Sequence, residues 1–81
     1  MMNTTATYMA DMVRLGVVRE VRVHYVLGAY RVLVYMENVS GPLALEKARG
    51  GVREFKSLDA ALRVIQRDMG YKAGIIVEGG A

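Results

Sequence analysis

Two neighbouring stretches of the chain alternate between apolar and polar residues and are separated by a short turn. The first runs from Val18 to Tyr25 and the second from Tyr30 to Glu37. A period of two is the pattern of a strand that buries only one face. Gly28, within "LGAY", suits the positive φ of a tight turn. The sequence therefore predicts a β-hairpin, which restricts the chain to folds that contain an antiparallel pair.

The pairing within this hairpin follows from the position of its turn. We expect the turn at Gly28 and Ala29. The buried face then carries the pairs Leu27–Tyr30, Tyr25–Val32, Val23–Val34 and Val21–Met36. The opposite face carries the pairs Val26–Arg31, His24–Leu33, Arg22–Tyr35 and Glu20–Glu37. Because this second face mixes charged and apolar side chains, it has to be solvated or covered by a partner.

Two other segments have the spacing of amphipathic helices. The first precedes Gly16 and presents Tyr8, Met9, Met12, Val13 and Leu15 on one side. Its candidate N-cap residues are Thr4, Thr5 and Thr7. The second has Ser57 as its expected N-cap, Asp59 in its first turn and Gly70 just beyond its end. The expected buried side of this helix consists of Leu58, Ala61, Leu62, Ile65 and Met69.

Further strands are expected on either side of the second helix. "LALEKA" alternates after the turn "NVSGP", and "VREF" is expected to resume pairing beyond Gly50 and Gly51. A last short strand is expected over residues 73–77. The order α-β-β-β-α-β predicts the α+β class, with an antiparallel sheet of three to five short strands and both helices on one face. Residues 1–81 form one small domain in this interpretation, with residues 1–3 and 79–81 frayed.

The residue inventory argues against catalysis and against a bound metal or cofactor. The 81 residues contain no Cys and a single His, so a disulfide and a thiolate metal site are excluded. Ser40 and Ser57 are explained as a turn residue and a helix cap. Since a nucleophile needs a neighbouring base and an orienting group, we expect a protein that is not an enzyme and has no cofactor.

Charge and hydropathy indicate the compartment and the class of partner. The N-terminal stretch lacks the basic start and unbroken apolar run of a secretory signal, and no segment has the roughly 18 apolar residues of a membrane span. We therefore expect a cytoplasmic protein without membrane contact. The net charge of +3 and pI near 9.5 are compatible with a nucleic-acid partner without requiring one.

The strongest concentration of positive charge lies in "EKARGGVREFK". Its candidate nucleic-acid-binding residues are Lys47, Arg49, Arg53 and Lys56. Phosphate-backbone contact requires positive charge and reach rather than a fixed motif. The spacing of a nucleotide-binding P-loop is absent, and Glu46 and Glu54 dilute the charge. The alternative interpretation is a solvated turn between two packed elements.

The outward face of the hairpin is the second candidate surface. It combines Arg22 and Arg31 with Tyr35 and His24, and cations beside aromatic rings are typical of sheets that bind single strands. The same stripe of Tyr, Leu and Val is equally typical of a dimer contact. With six Met and five Tyr in a short chain, we expect a homodimer, because exposed apolar strands otherwise favour aggregation.

The segment from Arg53 to Tyr71, "REFKSLDAALRVIQRDMGY", resembles small accessory proteins of bacterial plasmids and other mobile elements. In those proteins an R-x-F-K-S-L-D-A-A run opens a helix that ends in Gly. The resemblance implies a role in plasmid maintenance or transfer, with DNA or a DNA-bound protein as partner, and transfers no individual binding residue. The expected function is thus a small nucleic-acid-binding or accessory module. The alternative is a protein-interaction or dimerisation domain without nucleic-acid contact.

Overall fold

The computed structural model of the protein describes residues 2–79. Its strands are β1 (Met2–Thr4), β2 (Val18–Val26), β3 (Ala29–Met36), β4 (Leu43–Leu45) and β5 (Ile75–Gly79). Its helices are α1 (Ala6–Arg14) and α2 (Leu58–Arg63), and α2 continues as a π-helical segment, Val64–Asp68. The predicted α+β class is confirmed. None of the helices described here is long and apolar enough to cross a bilayer.

The five strands form one mixed sheet in the order β1-β4-β3-β2-β5. The prediction of a wholly antiparallel sheet is wrong, since β1 lies parallel to β4 and β5 parallel to β2. The reason is that α1 follows β1 and α2 precedes β5, and a strand-helix-strand connection returns the chain in its original direction. Both connections cross from the β1 side towards the β5 side. The usual right-handed crossover therefore puts both helices on the same face, as expected.

The sheet is longer at both ends of the chain than the sequence indicates. Residues 2 and 3, which we expected to be frayed, pair in β1 with Leu43 and Ala44 of β4. The last strand begins and ends two residues later than expected and includes Gly79, another residue expected to be frayed. Residues 1, 80 and 81, also expected to be frayed, lie outside the described part of the chain. The predicted element order consequently lacked an initial strand.

The predicted hairpin is present, but its register differs from the expected one by two residues. The turn consists of Leu27 and Gly28, with φ of +51° and +82°, the sign pattern of a type I′ turn. The pairs we expected, among them Leu27–Tyr30, His24–Leu33 and Glu20–Glu37, are therefore wrong. The observed pairs include Val21–Val34, Val23–Val32, His24–Arg31, Arg22–Leu33 and Glu20–Tyr35. Because side chains alternate with a period of two, this shift leaves the residues within β2 and β3 on their expected faces. Leu27, which we expected on the buried face, instead lies in the turn and is 95% exposed.

The core lies between the sheet and the two helices. Its most completely buried side chains are Met9, Val21, Val23, Val32, Val34, Leu45, Ile65 and Met69. Of the three candidate N-caps of α1, Thr5 is the one that caps the helix, and the expected cap of α2, Ser57, is confirmed. Their hydroxyls accept hydrogen bonds from the N–H groups of Tyr8 and Ala60, each at 3.1 Å. The opposite face of the sheet carries no helix among residues 2–79. We call it the open face, and it includes Glu20, Arg22, His24, Arg31, Leu33, Tyr35, Ala44, Ile76 and Glu78.

Candidate nucleic-acid interface

Residues 46–56, here called the basic loop, fill a gap between two strands. After the pair Leu33–Ala44, β4 and β3 separate, and the returning arm of the loop lies between them. The Arg53 N–H donates to the Leu45 carbonyl at 2.8 Å. Phe55 and Tyr30 exchange two backbone hydrogen bonds, of 2.8 and 2.9 Å. The expected pairing of "VREF" is thus confirmed as two isolated bridges. Phe55 pairs with Tyr30 of β3 and anchors the base of the loop to the sheet, whereas Val52 pairs with Glu46 across the loop.

The tip of the basic loop is a tight turn that requires its two glycines. The Lys47 N–H donates to the Gly51 carbonyl, and the Gly50 N–H donates to the Lys47 carbonyl, both at 2.9 Å. Gly50 and Gly51 have φ of +89° and +81°, a region that residues with a Cβ rarely adopt. The double glycine is therefore explained by the backbone of the turn itself. The bridge Glu46–Val52 joins the two arms of the loop, so that the tip is a short two-stranded ribbon.

Ion pairing leaves the basic loop more positive than its sequence suggests. The Arg31 guanidinium donates to the Glu54 carboxylate from Nη2 at 2.8 Å and from Nε at 3.2 Å. This pair neutralises one of the two acids that dilute the loop. Among residues 2–79, none of the candidate cations of the loop forms an ion pair; they are Lys47, Arg49, Arg53 and Lys56.

The four cations differ in their surroundings. Lys47, Arg49 and Lys56 are exposed, so their charges are free to meet a ligand. The Arg53 guanidinium lies over the ring of Phe55, 4.8 Å from its centroid, and the residue is half-buried. A cation in this position is held by the ring and is less free to move than its neighbours. The loop thus presents three exposed cations and one cation that packs on an aromatic ring.

An open pocket of about 400 Å³ separates the basic loop from the hairpin turn. The turn contributes Gly28 and Ala29 to its lining, and the loop contributes Lys47, Glu54 and Lys56. Leu27, in the same turn, is 95% exposed. The pocket was not foreseen because it depends on the gap between β3 and β4. Two cations of the loop, Lys47 and Lys56, therefore lie beside the hairpin turn.

The open face is less suited to phosphate, because its arginines already have partners. Arg22 forms ion pairs with Glu20 and with Glu78, the latter at 3.1 Å. The pKa of the Arg22 guanidinium is raised above its ordinary value, chiefly by its hydrogen bond to Glu20. Arg31 is paired with Glu54. A phosphate would have to displace a carboxylate at either arginine. Because these ion pairs are partly exposed to solvent, each contributes little stability and such an exchange is feasible.

Aromatic and apolar side chains of the open face are also less available than expected. The Arg22 guanidinium lies over the Tyr35 ring, 5.1 Å from its centroid, and so occupies one face on which a base would stack. Leu33, which we expected in an exposed apolar stripe, is only 6% exposed. His24 is opposite Arg31 rather than Leu33. The two candidate surfaces are in contact at the Arg31–Glu54 pair.

Within residues 2–79, no group of three or more His, Asp or Glu side chains is arranged to hold a metal ion. Comparisons with protein-family models, with curated proteins and with solved structures found no match. The resemblance of residues 53–71 to plasmid accessory proteins therefore stays a prediction. The features that sequence reasoning missed are the pocket and the ion pairs of Arg22 and Arg31. The only signal for those pairs in the sequence was the presence of opposite charges, without an indication of which would meet.

Proposed function

We propose that the protein is a small non-enzymatic module that binds nucleic acid through its basic loop. The observation that carries this proposal is the cluster of four cationic side chains without ion-pair partners among residues 2–79. They lie within ten residues of sequence on a ribbon whose base is fixed to the sheet by backbone hydrogen bonds. Because the base of the loop is fixed, its positive charges are held close to one another on the same part of the surface. The exposed Lys and Arg side chains are long enough to contact a phosphate backbone that lies against the loop.

The chemistry of these side chains favours phosphate over base recognition. Lys47 and Lys56 offer compact ammonium charges beside the pocket, and Arg49 offers a guanidinium at the tip. Such groups contact the phosphate backbone of any sequence, and the resulting affinity falls steeply as salt rises. The module is therefore expected to bind with little sequence preference. A secondary surface on the open face consists of Arg22, Arg31 and Tyr35. It can bind nucleic acid only if the present ion pairs and the Arg22–Tyr35 contact are broken.

The biological setting that we propose is accessory, in plasmid or mobile-element maintenance or transfer. Its support is the resemblance of the segment from Arg53 to Tyr71, which joins the second arm of the basic loop to α2. In this proposal the capped helix holds the loop against the sheet, and the loop meets DNA or a DNA-bound protein.

The test compares two double variants that remove the same charge. Arg49→Ala with Lys56→Ala removes two exposed cations of the basic loop. Arg63→Ala with Arg67→Ala removes two exposed cations of the helical layer, which likewise form no ion pair within residues 2–79. Binding of mixed-sequence duplex and single-stranded DNA is measured by gel shift and fluorescence anisotropy at low and moderate salt.

We expect the loop variant to bind every sequence more weakly. Its log-log salt slope on duplex DNA should decrease by up to ~0.9 for each lost phosphate contact. The helical-layer variant should keep the wild-type slope. Equal effects of the two double variants would place the binding site outside the loop. Absence of any wild-type shift at low salt would overturn the proposal and favour the alternative, a protein-interaction domain without nucleic-acid contact.

A further inference from the structure

The two edges of the sheet differ in how well they are protected against further strand pairing. β1 forms one edge and has only three residues, and a very short edge strand is a poor template. β5 forms the other edge and has five residues, "IIVEG". It contains no Pro and no Lys, the residues that commonly block edge pairing. Among residues 2–79, no strand pairs with the outer side of β5, which is therefore open to another strand.

Uncovered apolar side chains coincide with this edge. Ile76 is 43% exposed on the open face, and Val77 is 50% exposed on the helical face. Val77 pairs in register with Val23, which is fully buried, so the helical layer ends before it reaches the edge. The edge thus leaves both unpaired backbone groups and apolar side chains in water, on both of its faces.

We propose that β5 pairs antiparallel with β5 of a second copy of this chain, with the two-fold axis at Val77. This register pairs all five residues of the strand: Val77 faces its own copy, Ile75 faces Gly79, and Ile76 faces Glu78. The two sheets become one continuous sheet of ten strands, with all helices on one side. The proposed nucleic-acid site lies at the gap between β3 and β4, and β2 separates β3 from β5.

The side chains are compatible with this arrangement. Gly79 has no side chain and leaves room for the copy's Ile75 on the helical face. On the open face the Glu78 carboxylate is held by Arg22 at 3.1 Å, so it does not bring an unpaired charge next to the copy's Ile76. The contact joins Val77 to its copy where the helical layer leaves it uncovered. A second copy supplies the complementary strand without any further partner, which suits a chain with a small core.

The register is tested by cysteine cross-linking, for which the chain gives no background because it has no Cys. In the proposed register the two copies of residue 77 are directly opposite, at a Cα separation of about 4.5–5.5 Å that a disulfide spans. Residue 76 faces residue 78 of the copy, so the two copies of residue 76 are two positions apart along the strands. Their Cα atoms are then roughly 8 Å or more apart, which is beyond disulfide reach. Val77→Cys should therefore form a covalent dimer on mild oxidation, and the similarly exposed Ile76→Cys should not.

Association itself is measured by analytical ultracentrifugation at high micromolar concentration. The wild type should sediment as a dimer, Val77→Lys as a monomer, and Leu15→Lys, at the exposed apolar residue that follows α1, as a dimer. Circular dichroism checks that each variant is folded. A monomeric wild type, a dimeric Val77→Lys, or equal cross-linking of the two cysteine variants would each overturn the proposal.

Discussion

Neutralising Glu54 should strengthen nucleic-acid binding, because this acid restrains the one cation that links the basic loop to the open face. Glu54 accepts two hydrogen bonds from the Arg31 guanidinium, and the two side chains are 49% and 41% exposed. An ion pair this exposed contributes at most about 1 kcal/mol to folding. Glu54→Gln is therefore expected to fold normally, remove one negative charge from the loop and release Arg31.

The size of the gain follows from Coulomb's law. A unit charge about 5–7 Å from a phosphate in water contributes roughly 0.6–0.8 kcal/mol, or about a threefold to fourfold change in affinity. If the released Arg31 makes a phosphate contact of its own, the log-log salt slope on duplex DNA also steepens by up to ~0.9. The gain should consequently be largest at low salt.

Glu37→Gln is the matched control, since it removes the same charge from the same protein. Glu37 is exposed and forms no ion pair within residues 2–79. It lies beyond the far end of β3, about 23 Å from Tyr30 at roughly 3.3 Å per residue. That separation exceeds the Debye length of about 8 Å at physiological ionic strength. Fluorescence anisotropy across a salt series should show a gain for Glu54→Gln alone, and equal gains for both variants would refute a site at the loop.

Two further predictions concern the helical layer and are checked by thermal and urea melting. Gly70→Ala should lower the free energy of unfolding by about 1–2 kcal/mol, because Gly70 has φ of +71°. Gly74→Ala should be neutral or slightly stabilising, because Gly74 lacks this conformation. In neither variant does the added Cβ meet an atom within 4 Å, so the two differ in backbone conformation alone. Similar melting temperatures for the two would contradict the assigned helix end. Ile65→Ala should lower the free energy of unfolding by about 2–5 kcal/mol, because Ile65 is fully buried. Leu62→Ala should lower it by only about 1 kcal/mol, because Leu62 is half-buried. A reversed order would place the wrong side of the helix in the core.

The faces of the hairpin could be predicted from the sequence, but its register could not. Alternation fixes which side of a strand each residue occupies, and that information survives a slip of two residues. The register depends on the turn, and the turn places Leu27 at φ of +51°. A residue with a branched side chain seldom adopts that region, so local preference favoured the wrong pair, Gly28 with Ala29. The observed turn is selected by the pairing of the whole hairpin rather than by its own residues.

The outer strands were missed or shifted for a related reason. β1 is three residues long and has no alternating pattern, and it exists because β4 offers a partner. Its backbone is tied in further by the Glu46 N–H, which donates to the Thr4 carbonyl at 2.8 Å. Such a strand is defined by contacts between residues some 40 positions apart in sequence. The starts of the helices, in contrast, are marked locally. Ser57 was predicted as a cap, and Thr5 was one of three threonines predicted as candidate caps.

The candidate site shows the same division between local and distant information. The four cations of the basic loop can be identified in the sequence, and so can Glu54. In the sequence, Glu54 reduces the net positive charge of this stretch. In the fold, Glu54 no longer offsets the charge of the loop cations. The hairpin brings Arg31, 23 residues earlier in sequence, into an ion pair with it. It also removes Arg22 from the list of free cations through Glu78, 56 residues later. A basic stretch is therefore a candidate site only after its ion pairs are known, and here the pairs leave charge at the loop and neutralise it on the open face.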